Sequence, residues 1–128
     1  MAFGTIKADT LTHSTAGSLA TNFVVSGSAK SWVNIDMSNQ IANDSFNTSG
    51  VTDIATGRFT SAFTTSLANS DYAVTASGMD PTEASTGSNR TADGTPVSSS
   101  SMYIRAAAYD NTANDVPAAA LVANGDLA

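Results

Sequence analysis

The strongest constraint on the fold lies between Ser28 and Thr65, where apolar and polar side chains alternate with a period of two. One parity of this stretch carries Ala29, Val33, Ile35 and Met37, and the other carries Lys30, Trp32, Asn34 and Asp36. Successive side chains of a β-strand point to opposite faces of its sheet. We therefore predict a strand from Ala29 to Met37 with one face toward the protein core, the dry face, and the other toward solvent, the wet face.

Further alternating segments follow, separated by residues that favour turns. The predicted strands are Ile41 to Thr48, Gly50 to Ile54, Phe59 to Thr65, Tyr72 to Ser77, Ser100 to Asp110 and Ala118 to Ala123, with shorter ones near Thr5 to Leu11 and at Phe23 to Val25. No helical period is sustained. The pattern predicts an all-β chain, an antiparallel β-sandwich or jelly-roll-like module of about seven or eight short strands. The alanine runs 106–108 and 118–120 are its weak point, because alanine favours helix.

The domain organisation follows from where the alternation is strong. Residues 1–20 are polar and alternate weakly, so we expect an extended N-terminal arm for attachment or trimerisation, followed by a sandwich domain over 21–128. Residues 78–99 hold two prolines, three glycines and no periodicity, which predicts a long loop. This loop, with Asn89 and Arg90, is the first candidate for an exposed contact surface, and the alternative is a mobile apical loop.

Composition predicts a thin core. The 128 residues fit one domain, and 22 of them are alanine, with 18 serines and 17 threonines. Small side chains contribute little burial, at about 25 cal/mol per Å² of apolar area. We therefore expect self-association, in which several copies share one apolar core.

Charge and residue types disfavour several functions. A net charge of −6 repels nucleic acid and anionic lipid, and the absence of cysteine removes disulfides and thiolate sites. No apolar run is long enough for membrane insertion. His13 is the sole imidazole and lies far from any carboxylate cluster, and the aspartates lack calcium-loop spacing. We expect no enzymatic activity, no cofactor and no metal site.

Two groups of residues are candidate interface or receptor contacts. Trp32 falls on the wet face of its strand, where a large aromatic favours a subunit interface or a receptor contact. Coverage of both sheet faces, or a bulge that shifts parity, would also explain it. Tyr103, Arg105 and Tyr109 share one face of a second strand, where they could stack on a sugar or pair with a partner's carboxylate. Ordinary cross-strand pairing is the alternative.

Three segments of the chain, SAKSWVN, NDSFNTSGVTDIATGRFT and SAFTTSLANSDYAV, resemble a module of bacteriophage tail fibres, especially from phages of marine bacteria. The corresponding segments of that module usually have the sequences AKAWVNF, then DSFNVSSITDNGTGDYT, then a DANYAV-like sequence. The resemblance covers roughly Met1 to Ser77, including the opening GTIKADTLTHSTAGS. Arg58 stands where an acidic residue is common, and Ser31 where a second alanine is usual. The resemblance implies a β-rich virion protein, often trimeric, so a homotrimer is the expected form of self-association.

These observations predict a bacteriophage virion structural protein on the particle surface, acting as a tail-fibre-like adhesion or host-attachment module. The alternative is a capsid decoration protein, of cement or head-fibre type, that stabilises the phage head; the shortness of the arm favours it. The expected partners are further copies of the chain, other virion proteins and a host surface glycan or protein. The expected location is the virion, assembled in the bacterial cytoplasm and released by lysis. A third hypothesis is a free carbohydrate-binding domain unrelated to virions.

Overall fold

The computed structural model describes residues 7–15, 17–79, 91–108 and 110–126. Within them lie one helix and ten strands. The elements in chain order are β1 Thr10–His13, β2 Gly17–Ala20, α1 Thr21–Gly27, β3 Ser31–Asp36, β4 Ile41–Phe46, β5 Thr48–Ala55, β6 Arg58–Phe63, β7 Ala73–Met79, β8 Thr91–Ser98, β9 Ser101–Ala107 and β10 Ala118–Asn124.

Eight of these strands form two four-stranded antiparallel sheets. Sheet I has the order β4-β3-β10-β7, and sheet II has the order β5-β6-β9-β8. The first two strands pair with each other as a separate antiparallel hairpin within the predicted arm. The predicted all-β antiparallel sandwich is therefore confirmed, with ten described strands where about seven or eight were expected.

The alternation that predicted the strands also defines the core. Val33, Ile35 and Met37 are fully buried, and their partners from sheet II include Phe59 and Ile104. The remaining buried apolar residues are Phe63, Leu67, Tyr72, Met102, Ala106, Ala107, Val116, Ala119, Leu121 and Ala123. Two of the three core positions of β10 are alanine, so bulky side chains from β3, β6 and β9 fill the space between the sheets.

One predicted strand is wrong. Residues 21–27 form α1, whereas Phe23 to Val25 were expected to be extended. A run of only three apolar residues cannot distinguish the helical period from the strand period. The backbone N–H of Ser28 donates to the carbonyl of Val24 at 3.1 Å, a bond of helical spacing that closes the last turn.

The predicted loop is wrong at both of its ends. β7 continues through Met79, and residues 91–98 form β8. The inward positions of β8 are Ala92, Gly94 and Pro96. Because these residues are small or disfavour strands, the sequence of β8 shows no alternation of bulky apolar and polar side chains. Gly94 is required, because a β-carbon there would lie 2.5 Å from Val74 Cγ1 in β7. Proline is tolerated because β8 is an edge strand.

A single residue carries the chain from sheet I to sheet II. Asn47 lies between β4 and β5 with a positive φ of 52°, a conformation that asparagine adopts more readily than most residues. Its side-chain nitrogen donates to the carbonyls of Lys30 at 2.9 Å and Thr65 at 3.0 Å, and its side-chain oxygen accepts from the Thr65 N–H at 2.7 Å. Asn47 therefore joins three segments at one end of the sandwich.

A tight turn at Gly57 connects β5 to β6 at the opposite end of these strands. Gly57 has a φ of +68°, and its N–H donates to Asp115 Oδ1 at 2.6 Å. Its carbonyl accepts from the Ala106 N–H at 2.8 Å, and the Ala106 carbonyl accepts from the Asn114 N–H at 3.1 Å. The turn is thus packed against the segment that follows β9.

Candidate functional site

The N-terminal module, defined here as residues 10–27, exposes an unusual share of its apolar side chains. No residue of α1 is buried, and Phe23 and Val25 are 66% and 62% exposed. Leu11 and Leu19 lie directly opposite each other in the hairpin and are both about half exposed. Contiguous exposed apolar side chains are more typical of interaction sites than of the rest of a monomer's surface.

An apolar groove of about 610 Å³ lies between α1 and the end of sheet I. Val24 and Val25 form its helical wall, and Phe46 lies on the side of β4. Asn47, Thr64 and Thr65 close it toward sheet II. The groove therefore lies at the junction between the N-terminal module and the sandwich.

Lys30 lies at this groove and is 5% exposed. Its ammonium donates to the Val25 carbonyl, to the Ser28 carbonyl at 3.2 Å and to Ser28 Oγ at 2.8 Å. A cation at the C-terminal end of a helix is favoured, because free carbonyls give that end a partial negative charge. Lys30 was expected on the wet face beside Trp32. It is buried instead because β3 begins only at Ser31, and Ala29, expected on the dry face, is exposed.

Trp32 lies on the outer face of sheet I and is half-buried. Phe46 of β4 and Val122 of β10 lie directly opposite it on its two sides, so the three form an apolar strip across the sheet. Inward parity is unbroken from Ser31 to Met37, so no bulge within β3 shifts Trp32. Sheet II packs on the other face of sheet I and Trp32 is not part of the core, so the alternative that the sandwich covers both faces of β3 does not hold.

The outer face of sheet I also carries negative charge. Asn39 donates to both carboxylate oxygens of Asp36, from its backbone N–H at 2.9 Å and its side-chain nitrogen at 2.8 Å. These hydrogen bonds lower the pKa of Asp36 and keep it ionised. Asp44 is exposed on the neighbouring strand, opposite Asn34.

Tyr103 and Arg105 share the outer face of sheet II, as predicted from their spacing, and both are half-buried. Tyr103 lies between Thr60 of β6 and Thr95 of β8. Arg105 lies between Arg58 and Asp93, and its Nη2 donates to the carbonyl of Asn111 at 2.8 Å. Trp32 and this patch are therefore on opposite outer faces of the sandwich.

The other candidates, Asn89, Arg90 and Tyr109, lie outside the described residues. Residues 7–15, 17–79, 91–108 and 110–126 bring together no group of three or more metal-ligating His, Cys, Asp or Glu side chains. In the same residues, α1 is too short to cross a membrane, and no other helix is present.

Comparisons with known proteins add no relative: no family model, no curated protein and no solved structure matches this chain.

Sequence reasoning missed two components of these surfaces. Arg58 pairs with Arg105 only through the β6–β9 register, which joins strands distant in the chain. Val25 and Phe46 meet at the groove only because α1 folds back toward the end of β4. The one available signal was the short apolar run at Phe23 to Val25, which has no place in the two-sheet core.

Proposed function

We propose that this chain is a non-enzymatic structural protein of a bacteriophage virion, exposed on the particle as a tail-fibre-type host-attachment module and assembled as a homotrimer. The resemblance of its SAKSWVN, NDSFNTSGVTDIATGRFT and SAFTTSLANSDYAV segments to phage fibre modules supports the virion assignment. The observation that carries the assembly is the exposed apolar surface of the N-terminal module.

The N-terminal module has too little structure to be stable without a partner surface. α1 has seven residues and no side-chain hydrogen bond at its N-cap, whereas isolated helices shorter than about 12 residues are marginal in water. β1 and β2 have four residues each, and a lone two-stranded hairpin is also marginal. Thr21 links the two, since its N–H donates to Asp9 O at 2.9 Å and its hydroxyl to Ala8 O at 2.7 Å.

Further copies of the same module are the occupants that suit this surface. The Leu11–Leu19 pair and the exposed face of α1 are apolar and uncharged, so equivalent patches can meet around a symmetry axis without burying unpaired charge. The outer faces of the two sheets then remain free for contact with the environment. This arrangement would let the N-terminal end hold the trimer together while the sandwiches project outward.

Size-exclusion chromatography with light scattering tests the assembly. Val25→Ser removes an apolar side chain that is 62% exposed in the module, and Val97→Ser is the matched control, because Val97 is 56% exposed on β8 away from it. We expect a trimer for the wild type and for Val97→Ser, and a shift toward monomer for Val25→Ser. A wild-type monomer, or equal behaviour of the two variants, contradicts the proposal.

Trp32→Ala separates two roles for the outer face of sheet I. Loss of the trimer would make the Phe46–Trp32–Val122 strip part of the subunit interface. An intact trimer with weakened binding to host cells would make the strip a receptor contact. No change in either measurement would remove Trp32 from both roles.

Cryo-electron microscopy of purified virions tests the location of the protein. Density for a small trimer at the tail supports the host-attachment role. Density on the head, at capsid symmetry positions, would instead make the chain a capsid decoration protein anchored by its N-terminal module. Absence from the particle would overturn the proposal.

A further inference from the structure

Two arginines lie side by side on the outer face of sheet II. Arg58 of β6 is directly opposite Arg105 of β9, and the whole sequence has only five basic residues. Hydrogen-bonded and non-hydrogen-bonded pairs alternate along an antiparallel ladder. The Ala106 N–H donates to the Gly57 carbonyl at 2.8 Å, so Gly57–Ala106 is a hydrogen-bonded pair and Arg58–Arg105, the next pair, is a non-hydrogen-bonded one. Such pairs are the closer kind, with Cα atoms about 4.5 Å apart.

Like charges placed directly opposite each other destabilise a sheet, and neighbouring residues offset the repulsion only in part. Asp93 of β8 lies opposite Arg105 on its other side. The other neighbour of Arg58 is Ala55, which carries no charge. Asp115 accepts from the Gly57 N–H and so lies at the turn before Arg58. The row Ala55–Arg58–Arg105–Asp93 thus has one excess positive charge in a chain of net charge −6.

The neighbouring row on the same face carries hydroxyl groups and one aromatic ring. Thr52, Thr60, Tyr103 and Thr95 lie opposite one another across the four strands. Tyr103 and Arg105 are two residues apart on β9, which places them about 6.6 Å apart along the strand. This distance is comparable to the width of one sugar ring. A sugar that stacks on the Tyr103 ring can therefore place its acidic substituent next to the two arginines.

We infer that the outer face of sheet II binds an acidic polysaccharide, with the anionic group between Arg58 and Arg105 and a sugar ring over Tyr103. A guanidinium forms paired, charge-assisted hydrogen bonds with a carboxylate or a sulfate. Arg105 keeps further N–H donors beside the Nη2 that donates to the Asn111 carbonyl, and Arg58 supplies a second guanidinium on the same face. Asp93 repels the acid from the β8 side and so directs it toward Arg58. The threonine hydroxyls donate to and accept from sugar hydroxyls.

This inference rests on the proposed function, since it names the ligand class of the host-attachment module. The acidic outer face of sheet I in another copy, with Asp36 and Asp44, is the rival occupant, and the test distinguishes it.

Biolayer interferometry with immobilised polysaccharides tests the site at low ionic strength. Alginate presents carboxylates, carrageenan presents sulfates, and dextran is the neutral control. We expect binding to at least one acidic polymer and none to dextran, weakened by added NaCl because salt screens the charges. Arg58→Gln should weaken binding about tenfold, because it removes the charge-assisted bonds of one guanidinium. Lys7→Gln, an equal charge change at an exposed site beside α1, should change binding less than twofold.

Three results would overturn the inference. The first is equal binding of dextran and the acidic polymers. The second is equal binding by Arg58→Gln and Lys7→Gln. The third is a loss of self-assembly in Arg58→Gln, measured by light scattering, without polysaccharide binding by the wild type; this would make the face an interface between copies. Virion microscopy is independent of all three, so a protein found in the particle that ignores acidic glycans contradicts the ligand assignment and leaves the structural role intact.

Discussion

Substituting Gly57 by alanine should destabilise the sandwich more than any other single-methyl addition at a described turn. Gly57 has a φ of +68°, where a non-glycine residue pays about 1–2 kcal/mol. A β-carbon there would lie 2.6 Å from the Asn114 backbone nitrogen and closer still to the Ala106 carbonyl oxygen. Both obstacles are backbone atoms, so the turn itself must move.

Movement of the turn weakens the hydrogen bonds that hold it. The Gly57 N–H bond to Asp115 is 2.6 Å long, and the Ala106 N–H bond to the Gly57 carbonyl is 2.8 Å long. If each bond loses about 1 kcal/mol, the total with the φ strain is about 3–4 kcal/mol. For a domain of this size, that lowers the melting temperature by roughly 10 °C.

Urea unfolding followed by Trp32 fluorescence measures the effect, because Trp32 is the single tryptophan and lies on a central strand. Protein concentrations must match, since assembly contributes to stability. Gly50→Ala is the control: Gly50 lies in β5 with no heavy atom within 4 Å of the added carbon, so it should be neutral or mildly stabilising. A Gly57→Ala protein within about 0.5 kcal/mol of wild type would refute the steric argument.

Three further perturbations test other parts of the sandwich. Asn47→Ala should lower the unfolding free energy by about 2 kcal/mol in urea titrations, because it removes three hydrogen bonds and an asparagine suited to positive φ; Asn47→Gly should lose less, since glycine keeps the conformation. Ser61→Ala should raise the melting temperature in calorimetry, because the buried Ser61 hydroxyl has no hydrogen-bond partner among the described residues; no gain would indicate an unseen partner. Burial raises the pKa of Tyr72, so stability is complete below its ordinary value of about 10 and falls as pH rises through the higher folded-state value; Tyr72→Phe should flatten that fall in unfolding measured across this range, and an unchanged slope would contradict it.

Alternation predicted the strands whose inward positions are bulky. β3, β6 and β9 each place large apolar side chains such as Ile35, Phe59 and Ile104 in the core, and their period of two is legible in the sequence. β8 was missed because its inward residues are small, for a reason set by β7: Gly94 is needed where Val74 approaches. A position that must be glycine adds no apolar side chain to the sequence pattern, so alternation cannot reveal that it faces the core.

The candidate surfaces were predictable only within one strand. The shared face of Tyr103 and Arg105 follows from their spacing, and so does the outward parity of Trp32. The Arg58–Arg105 pair and the Phe46–Trp32–Val122 strip depend on register between strands far apart in the chain, which a single sequence does not specify. Lys30 was misassigned because burial at a helix end has no periodic signature.

The strand order of sheet I sets when the protein can fold. β10 follows every other described strand in the chain, yet it lies in the middle of the sheet, between β3 and β7. On the ribosome, both neighbours wait with open edges until Ala118–Asn124 has emerged. Formation of the central ladder then closes a loop spanning almost the whole sandwich, a topology that favours slow folding. The chaperones and proteases of the producing cell are therefore needed most just after synthesis, because an incomplete sheet can then pair with another nascent chain.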